Sequence, residues 1–247
     1  MNKLGLIGFG RFGYLLYEQL KTAVDIQVYD PEKMSEPSFA AVSFSSLEEI
    51  CKTDLLILAI PVSQIEKVCM EIRPHISNQT VIMDVCAVKT YPSNILLKNF
   101  NSSVQILGSH PLFGPDSVKE TMQDHLMIVT PYRISDTNLK RVKKFWGSFG
   151  IKIIDMTPDE QDRLMAWTLA MTHFIGRSLN GLPLPETTIA TRDYRNLIEL
   201  MRKINRDTWE LFEDMHRYNP YTVEMRNLLF ESMRQMKEKL DTSQIQE

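Results

Sequence analysis

The sequence predicts an α/β protein, with a doubly wound, mostly parallel sheet over residues 1–155 followed by an all-helical domain over residues 156–247. Three observations carry this expectation. Short apolar runs alternate with amphipathic stretches as far as Asp155. A glycine-rich turn directly follows the first run. Beyond Asp155 strand-like runs cease, and apolar residues recur only at helical spacing.

Taken in order, residues 3–7 form a first strand, and Tyr14, Leu15, Tyr17 and Leu20 mark the helix after the glycine turn. Residues 25–30 read as a second strand, 41–44 as a short further one, and Ser46 caps a helical turn. The apolar run 54–61 suits a strand buried on both faces, and Pro61 takes the chain out of the sheet. Ser63 is placed to cap a helix over 64–72. A strand at 80–85 and a helix at 93–100 lead to a short strand, 104–107, that enters a loop holding His110. Strands at 126–130 and 151–155 flank a helix at 138–147.

In the second half, Pro158, Asp159 and Glu160 start a helix expected to run to Leu179. Leu164, Trp167, Met171 and Ile175 share its apolar face, with His173 opposite them among Asp162, Ala166 and Ala170. Gly181 to Pro185 break it. A second helix is striped by Leu197, Leu200, Met201 and Ile204 and carries Arg202. A third is capped near Thr208, and a last one follows Pro220 with Met225, Leu228, Leu229, Met233, Met236 and Leu240. So many apolar stripes on few helices call for a partner surface, which a homodimer through this domain would supply. The residues after Asp241 are polar and expected to fray.

Composition narrows the function. With 43% hydrophobic and 24% charged residues and a net charge of -3, nothing points to nucleic acid or an anionic membrane. No apolar run approaches the roughly 20 residues of a membrane span, and no signal peptide is evident. Cys51, Cys69 and Cys86 lack metal-ligand spacing, so no metal is expected and the thiols suit a cytoplasmic setting.

The chemistry-bearing pattern is Gly8-Phe9-Gly10-Arg11-Phe12-Gly13, set between strand and helix. That is the context a dinucleotide fingerprint requires: a tight turn at Gly8, backbone access at Gly10, and close helix–strand packing at Gly13. The helix N-terminus then faces phosphates, which makes the domain Rossmann-type. Asp30 closes the second strand about 20 residues on, where a carboxylate accepts from ribose hydroxyls and repels a 2′-phosphate, favouring NAD. Ile60 and Pro61, at the end of another strand, complete the candidate cofactor site. His110 lies in Gly108-Ser109-His110-Pro111-Leu112-Phe113-Gly114-Pro115, and its imidazole suits proton transfer near neutral pH.

Four blocks in this order, GFGRFG (8–13), DVCAVK (84–89), GSHPLFGPDS (108–117) and EQDRLMAWTLAMTHFIGRSL (160–179), resemble the prephenate/arogenate dehydrogenase family of tyrosine biosynthesis. The resemblance implies NAD-dependent oxidative decarboxylation of a cyclohexadienol. It makes His110 the proton acceptor on the ring hydroxyl, and Ser109, His173 and Arg202 substrate contacts, with Lys203 and Arg206 competing for the carboxylate-binding role of Arg202. Two positions depart from the family pattern. Ala87 stands where a serine hydroxyl is usual, a gap Ser109 would fill, and Gln161 stands where histidine is frequent. The alternative is another two-domain NAD(P)-dependent dehydrogenase or imine reductase. Relatives of the hydroxyacid dehydrogenases carry a catalytic lysine on the long helix, and residues 158–182 contain none. A nucleotide-sensing protein without catalysis is the third reading, for which Ala87 speaks and His110, His173 and Arg202 speak against.

Overall fold

A buried apolar strand, β1 (Lys3–Ile7), opens the chain in the computed structural model, in which residues 1–244 are described. Helix α1 (Arg11–Leu20) follows, burying Gly13, Leu16 and Leu20, and β2 (Asp25–Tyr29) returns beside β1. A capping box between Ser46 and Glu49 starts the single turn α2 (Leu47–Ile50). Strand β3 (Leu55–Leu58) is buried at every position, as a parallel strand covered on both faces should be. The remaining elements of this region are α3 (Ile65–Ile72), β4 (Val81–Asp84), α4 (Thr90–Asn99), β5 (Gln105–Pro111), β6 (Leu126–Arg133), α5 (Asp136–Gly147) and β7 (Lys152–Asp155).

The seven strands form one sheet in the order β2-β1-β3-β4-β5-β6-β7. Pairing is parallel except between β5 and β6. The order reverses at β1, so the crevice at the carboxyl ends of β1 and β3 is the topological switch point, where open α/β sheets receive ligands. Leu4, Leu6, Ile57, Met83, Leu107, Val129 and the fully buried Trp146 belong to the core.

Three sequence expectations change in this region. The stretch 41–44 is no strand but a single parallel bridge, Val28 to Phe44. A 3₁₀ turn (Val62–Gln64) precedes α3, whose N-cap is Gln64 rather than Ser63. The strand before His110 does not stop at 107. It continues to Pro111, because β6 lies antiparallel and carries the ladder past the histidine, with His110 opposite Ile128.

The chain divides into compact units at Gln161/Asp162. The long helix that crosses this point is not continuous. It comprises α6 (Pro158–Met165), a π-helical stretch (Ala166–Ala170) and α7 (Met171–Leu179). After it come α8 (Arg192–Ile204), α9 (Trp209–Arg217), capped by Thr208, and α10 (Thr222–Gln244). The expected faces of the long helix are reversed. Ala166, Ala170 and His173 are buried, whereas Leu164 and Trp167 are exposed. The small-residue face admits neighbours closely: Ala170 packs with Met215 and Met225, and Gly176 leaves room for Ile204.

Candidate active site

The glycine loop sits at the carboxyl end of β1 with each glycine doing separate work. Gly8 has φ +94°, and a Cβ there would lie 2.4 Å from the Ala59 carbonyl oxygen and 2.9 Å from the Ile60 side chain. A Cβ on Gly13 would lie 2.1 Å from the Gly8 carbonyl oxygen. Gly10 has open space within 4 Å, the property needed where a phosphate approaches backbone. Gly10 is also the N-cap of α1, and it makes no side-chain capping hydrogen bond to that helix.

Asp30 braces this loop. Its Oδ2 accepts from Phe9 N at 2.7 Å, and its Oδ1 accepts from Glu32 N and Lys33 N at 3.0 and 3.1 Å. A carboxylate offers about four acceptor positions, so room for a ligand hydroxyl remains on Oδ2. The Phe9 side chain belongs to the core, its ring edge-on to Tyr14, Tyr17, Phe39 and Phe44, so only its backbone borders the loop opening. Arg11 pairs with Asp116 at 2.7 Å, and the Phe12 ring lies 6.3 Å from that of Phe113. The glycine loop is thereby tied to the segment just after His110. Ile60 is half-buried against Gly8, and Pro61 is exposed.

His110 is buried near the end of β5, and its Nδ1 is without a hydrogen-bond partner. Burial, together with the nearby Lys89 charge, pushes its pKa down to about 3, partly offset by the Gln161 amide beside it. The ring is therefore neutral, and in the unliganded protein burial makes it a weaker base than a free imidazole. Lys89 itself is fully buried and ion-paired with the equally buried Asp84 at the end of β4, whose Oδ1 also accepts from Cys86 N. Sequence reasoning missed this pair. The signal was present as an acid closing an apolar strand five residues before a lysine at the next helix start.

Ser109 departs from expectation. It is completely buried and its hydroxyl donates to the Asp84 carbonyl at 2.8 Å, so it links two strands instead of facing a ligand. The hydroxyl missing at Ala87 is not supplied from there. Gln161, also fully buried, donates to the Ala87 carbonyl at 3.1 Å.

In the helical unit, His173 is buried with its Nδ1 unpaired. Burial lowers its pKa, with Asp207 opposing and Arg177 and Lys203 reinforcing the shift. Arg202 is exposed on α8, one residue from the lysine whose charge acts on His173. The charges of Lys203 and of Arg177, four residues after His173, both act on that ring, and Arg177 is a cation that the helical spacing should have drawn out. Arg177 donates to the carbonyls of Asp207 and Thr208 at 2.6 and 3.1 Å.

Sheet order, glycine loop and switch point together define a nucleotide-binding protein of the doubly wound α/β class. Residues 21–155 match the family description "Prephenate dehydrogenase, nucleotide-binding domain", and residues 178–247 match "TYRAAT1-like, C-terminal domain". The chain belongs to the prephenate dehydrogenase family. Among curated relatives, arogenate dehydrogenase 1 of Arabidopsis thaliana (chloroplastic) is 30% identical, over 94% of this chain and 38% of that protein. Arogenate dehydrogenase 2 of the same plant is 28% identical, over 94% and 69%. The chain therefore spans well under half of the first of these relatives. Its fold is similar to that of prephenate dehydrogenase from Aquifex aeolicus, solved with hydroxyphenyl propionate and NAD+, with a TM-score of 0.74 at 19% identity over 100% of this chain and 93% of that one. Arogenate dehydrogenase from Synechocystis gives a TM-score of 0.66 at 20% identity over 97% and 90%.

Proposed function

We propose that the protein is an NAD-dependent prephenate or arogenate dehydrogenase acting in tyrosine biosynthesis. The observation that carries this reading is His110, a buried neutral imidazole with an unpaired Nδ1, on the same sheet as a glycine loop braced by an acid. Gly8, Gly10 and Gly13 with the α1 N-terminus suit a pyrophosphate, Asp30 suits an unphosphorylated ribose, and Ile60 and Pro61 border the same crevice. NAD held there would supply the hydride acceptor.

His110 takes the proton of the substrate's ring hydroxyl as hydride leaves the carbon bearing it. The proton returns to that oxygen as the ring carboxylate departs as carbon dioxide and the ring becomes aromatic. Acid–base assistance of this kind contributes typically about 10²–10⁴-fold. Ser109 is left out of the site, since its hydroxyl is committed to Asp84. Substrate contacts are assigned to His173 and to a cation of α8, Arg202 or Lys203. The acting form is a cytoplasmic homodimer joined through the helical unit. No described helix is long and apolar enough to cross a membrane.

The test is purified protein given NAD or NADP with prephenate and, separately, arogenate, followed by absorbance of the reduced nicotinamide. Turnover with one of them and NAD, lost in His110→Asn, is the expected result. Absence of reduced cofactor with both substrates would overturn the reading. Equal use of NADP would refute the role given to Asp30.

A further inference from the structure

The ion pair between Arg11 and Asp116 joins the glycine loop to the stretch that carries the chain away from His110. Arg11 is the first residue of α1, directly after Gly10, so its side chain starts from the backbone that a pyrophosphate would approach. Asp116 lies six residues past His110, between β5 and β6. Arg11 Nη2 meets Asp116 Oδ2 at 2.7 Å.

The two partners are held very differently. Asp116 sits in a tight turn, in which Ser117 Oγ accepts from Gly114 N at 2.8 Å, and Ser117 N and Val118 N both donate to the Gly114 carbonyl. The buried side chains of Phe113 and Val118 anchor this turn on either side. The same stretch is docked on α1 without any charge, by the Phe113 ring beside Phe12 and by the Gln19 amide, which donates to the Glu120 carbonyl at 3.1 Å. The carboxylate therefore keeps its place whatever Arg11 does. Arg11 is the more open partner, its side chain 44% exposed against 19% for Asp116, and it is the one that can turn. An ion pair this open to solvent is weak, so a better anion can displace it.

A dinucleotide at the glycine loop brings such an anion. Its pyrophosphate presents more oxygens and more negative charge to a guanidinium than one carboxylate does. Asp116 opposes its arrival twice over, by holding the guanidinium and by repelling the phosphates with a fixed charge. Both effects have the same sign, so removing the carboxylate favours the dinucleotide.

We propose that Arg11 exchanges partners, leaving Asp116 for the pyrophosphate when a dinucleotide binds, and that Asp116 thereby sets how tightly the cofactor is held. The exchange takes the Arg11 charge off Asp116, so arrival of the cofactor is registered on the stretch that follows the catalytic base. This inference rests on the dinucleotide reading of the glycine loop.

The test is calorimetric titration of the full chain with NAD at low and high salt, in the wild type, Asp116→Asn and Arg11→Met. Asp116→Asn is expected to tighten NAD by about threefold or more, and Arg11→Met to weaken it by about threefold or more and to flatten its dependence on salt. Unchanged or weaker binding in Asp116→Asn overturns the exchange, as does a salt dependence that Arg11→Met leaves intact. A wild type that binds neither NAD nor NADP fails at the earlier step, the dinucleotide reading itself, and takes the exchange with it. Should a variant not fold, carbon-13 spectra of the wild type decide. The side-chain carboxyl signal of Asp116 shifts on saturation with NAD if the pair opens. A signal that stays in place shows a pair that remains closed, and refutes the proposal.

Discussion

Gln161 donates its side-chain amide to the carbonyl of Ala87 at 3.1 Å. The two positions at which this chain departs from the family pattern are therefore hydrogen-bonded to each other, and Gln161 also stands beside His110. Changing Gln161 to Leu takes the partner from a half-buried carbonyl and removes the group that borders the imidazole. The expected cost is about 1–3 kcal/mol of stability, with kcat reduced more than KM is raised. Thermal denaturation and steady-state kinetics on the same preparations check both parts. A Gln161→Leu variant with unchanged kcat would show that His110 needs no support from this side.

His110 ties stability to pH in a definite direction. Its folded pKa, about 3, lies below the ordinary histidine value. Between the two, the unfolded chain binds the proton and the folded chain does not, so stability rises with pH across that window. The contribution is complete above about pH 6.5 and is lost progressively as pH falls toward 3. Carbon-13 or nitrogen-15 shifts of the ring should show a neutral imidazole at pH 5 in the unliganded protein. In His110→Phe, the acid-side loss of stability should shrink. A ring that titrates near pH 6.5 would sink both the linkage and the picture of a neutral base.

The Asp84–Lys89 pair is fully buried, so removing one partner leaves an uncompensated charge. Lys89→Met is expected to cost about 3–5 kcal/mol, and Asp84→Asn combined with Lys89→Met much less than the sum of the single changes. Urea denaturation of the double-mutant cycle measures this. Additive effects would mean that the two charges act independently.

How much of this was legible in the sequence follows from what each feature depends on. The glycine loop and Asp30 were readable because their roles are set by local backbone geometry: the +94° φ at Gly8 and the contact distance at Gly13 are what the pattern demands. The extension of β5 through His110 was not, because it depends on β6, whose antiparallel course no local pattern encodes. The faces of the long helix were misjudged for a related reason. A periodicity of 100° per residue assumes an unbroken α-helix, and the π-helical stretch Ala166–Ala170 shifts the phase just before His173. Size misled as well, since the buried face is made of alanine, glycine and histidine while Leu164 and Trp167 stay outside. Asp84 and Lys89 left a trace in the sequence, an acid closing a strand and a lysine at the next helix start, but what makes them a pair is their complete burial, which no local pattern gives.

Gly10 and Gly13 separate binding from folding. Gly10 has φ -69° and ψ -169°, which any residue adopts, and nothing lies within 4 Å of where a Cβ would stand. Gly10→Ala is therefore expected to change stability by no more than about 0.5 kcal/mol while weakening NAD at least tenfold by filling the approach to the backbone. Gly13→Ala should lose both, because its Cβ would meet the Gly8 carbonyl at 2.1 Å. Calorimetric titration beside thermal melts distinguishes them. Unaltered NAD affinity in Gly10→Ala would remove the pyrophosphate from this loop.

Helix α10 carries the last prediction. Met233, Met236 and Leu240 are each more than half exposed, and their spacing of three and four places them in one apolar seam. The charged neighbours are satisfied along the same helix: Arg234 pairs with Glu231 and Glu238, and Lys237 with Asp241. The seam therefore has nothing within α10 to cover it, while its flanks need no partner. If a second copy covers it in the proposed homodimer, each buried methionine contributes about 1.5–3 kcal/mol, and a lysine placed in the seam would have to be desolvated or the helices would part. Met233→Lys with Met236→Lys should convert the protein from dimer to monomer in sedimentation velocity at micromolar concentration. A wild type that sediments as a monomer, or a double variant that stays dimeric, would show that α10 is not where the copies meet.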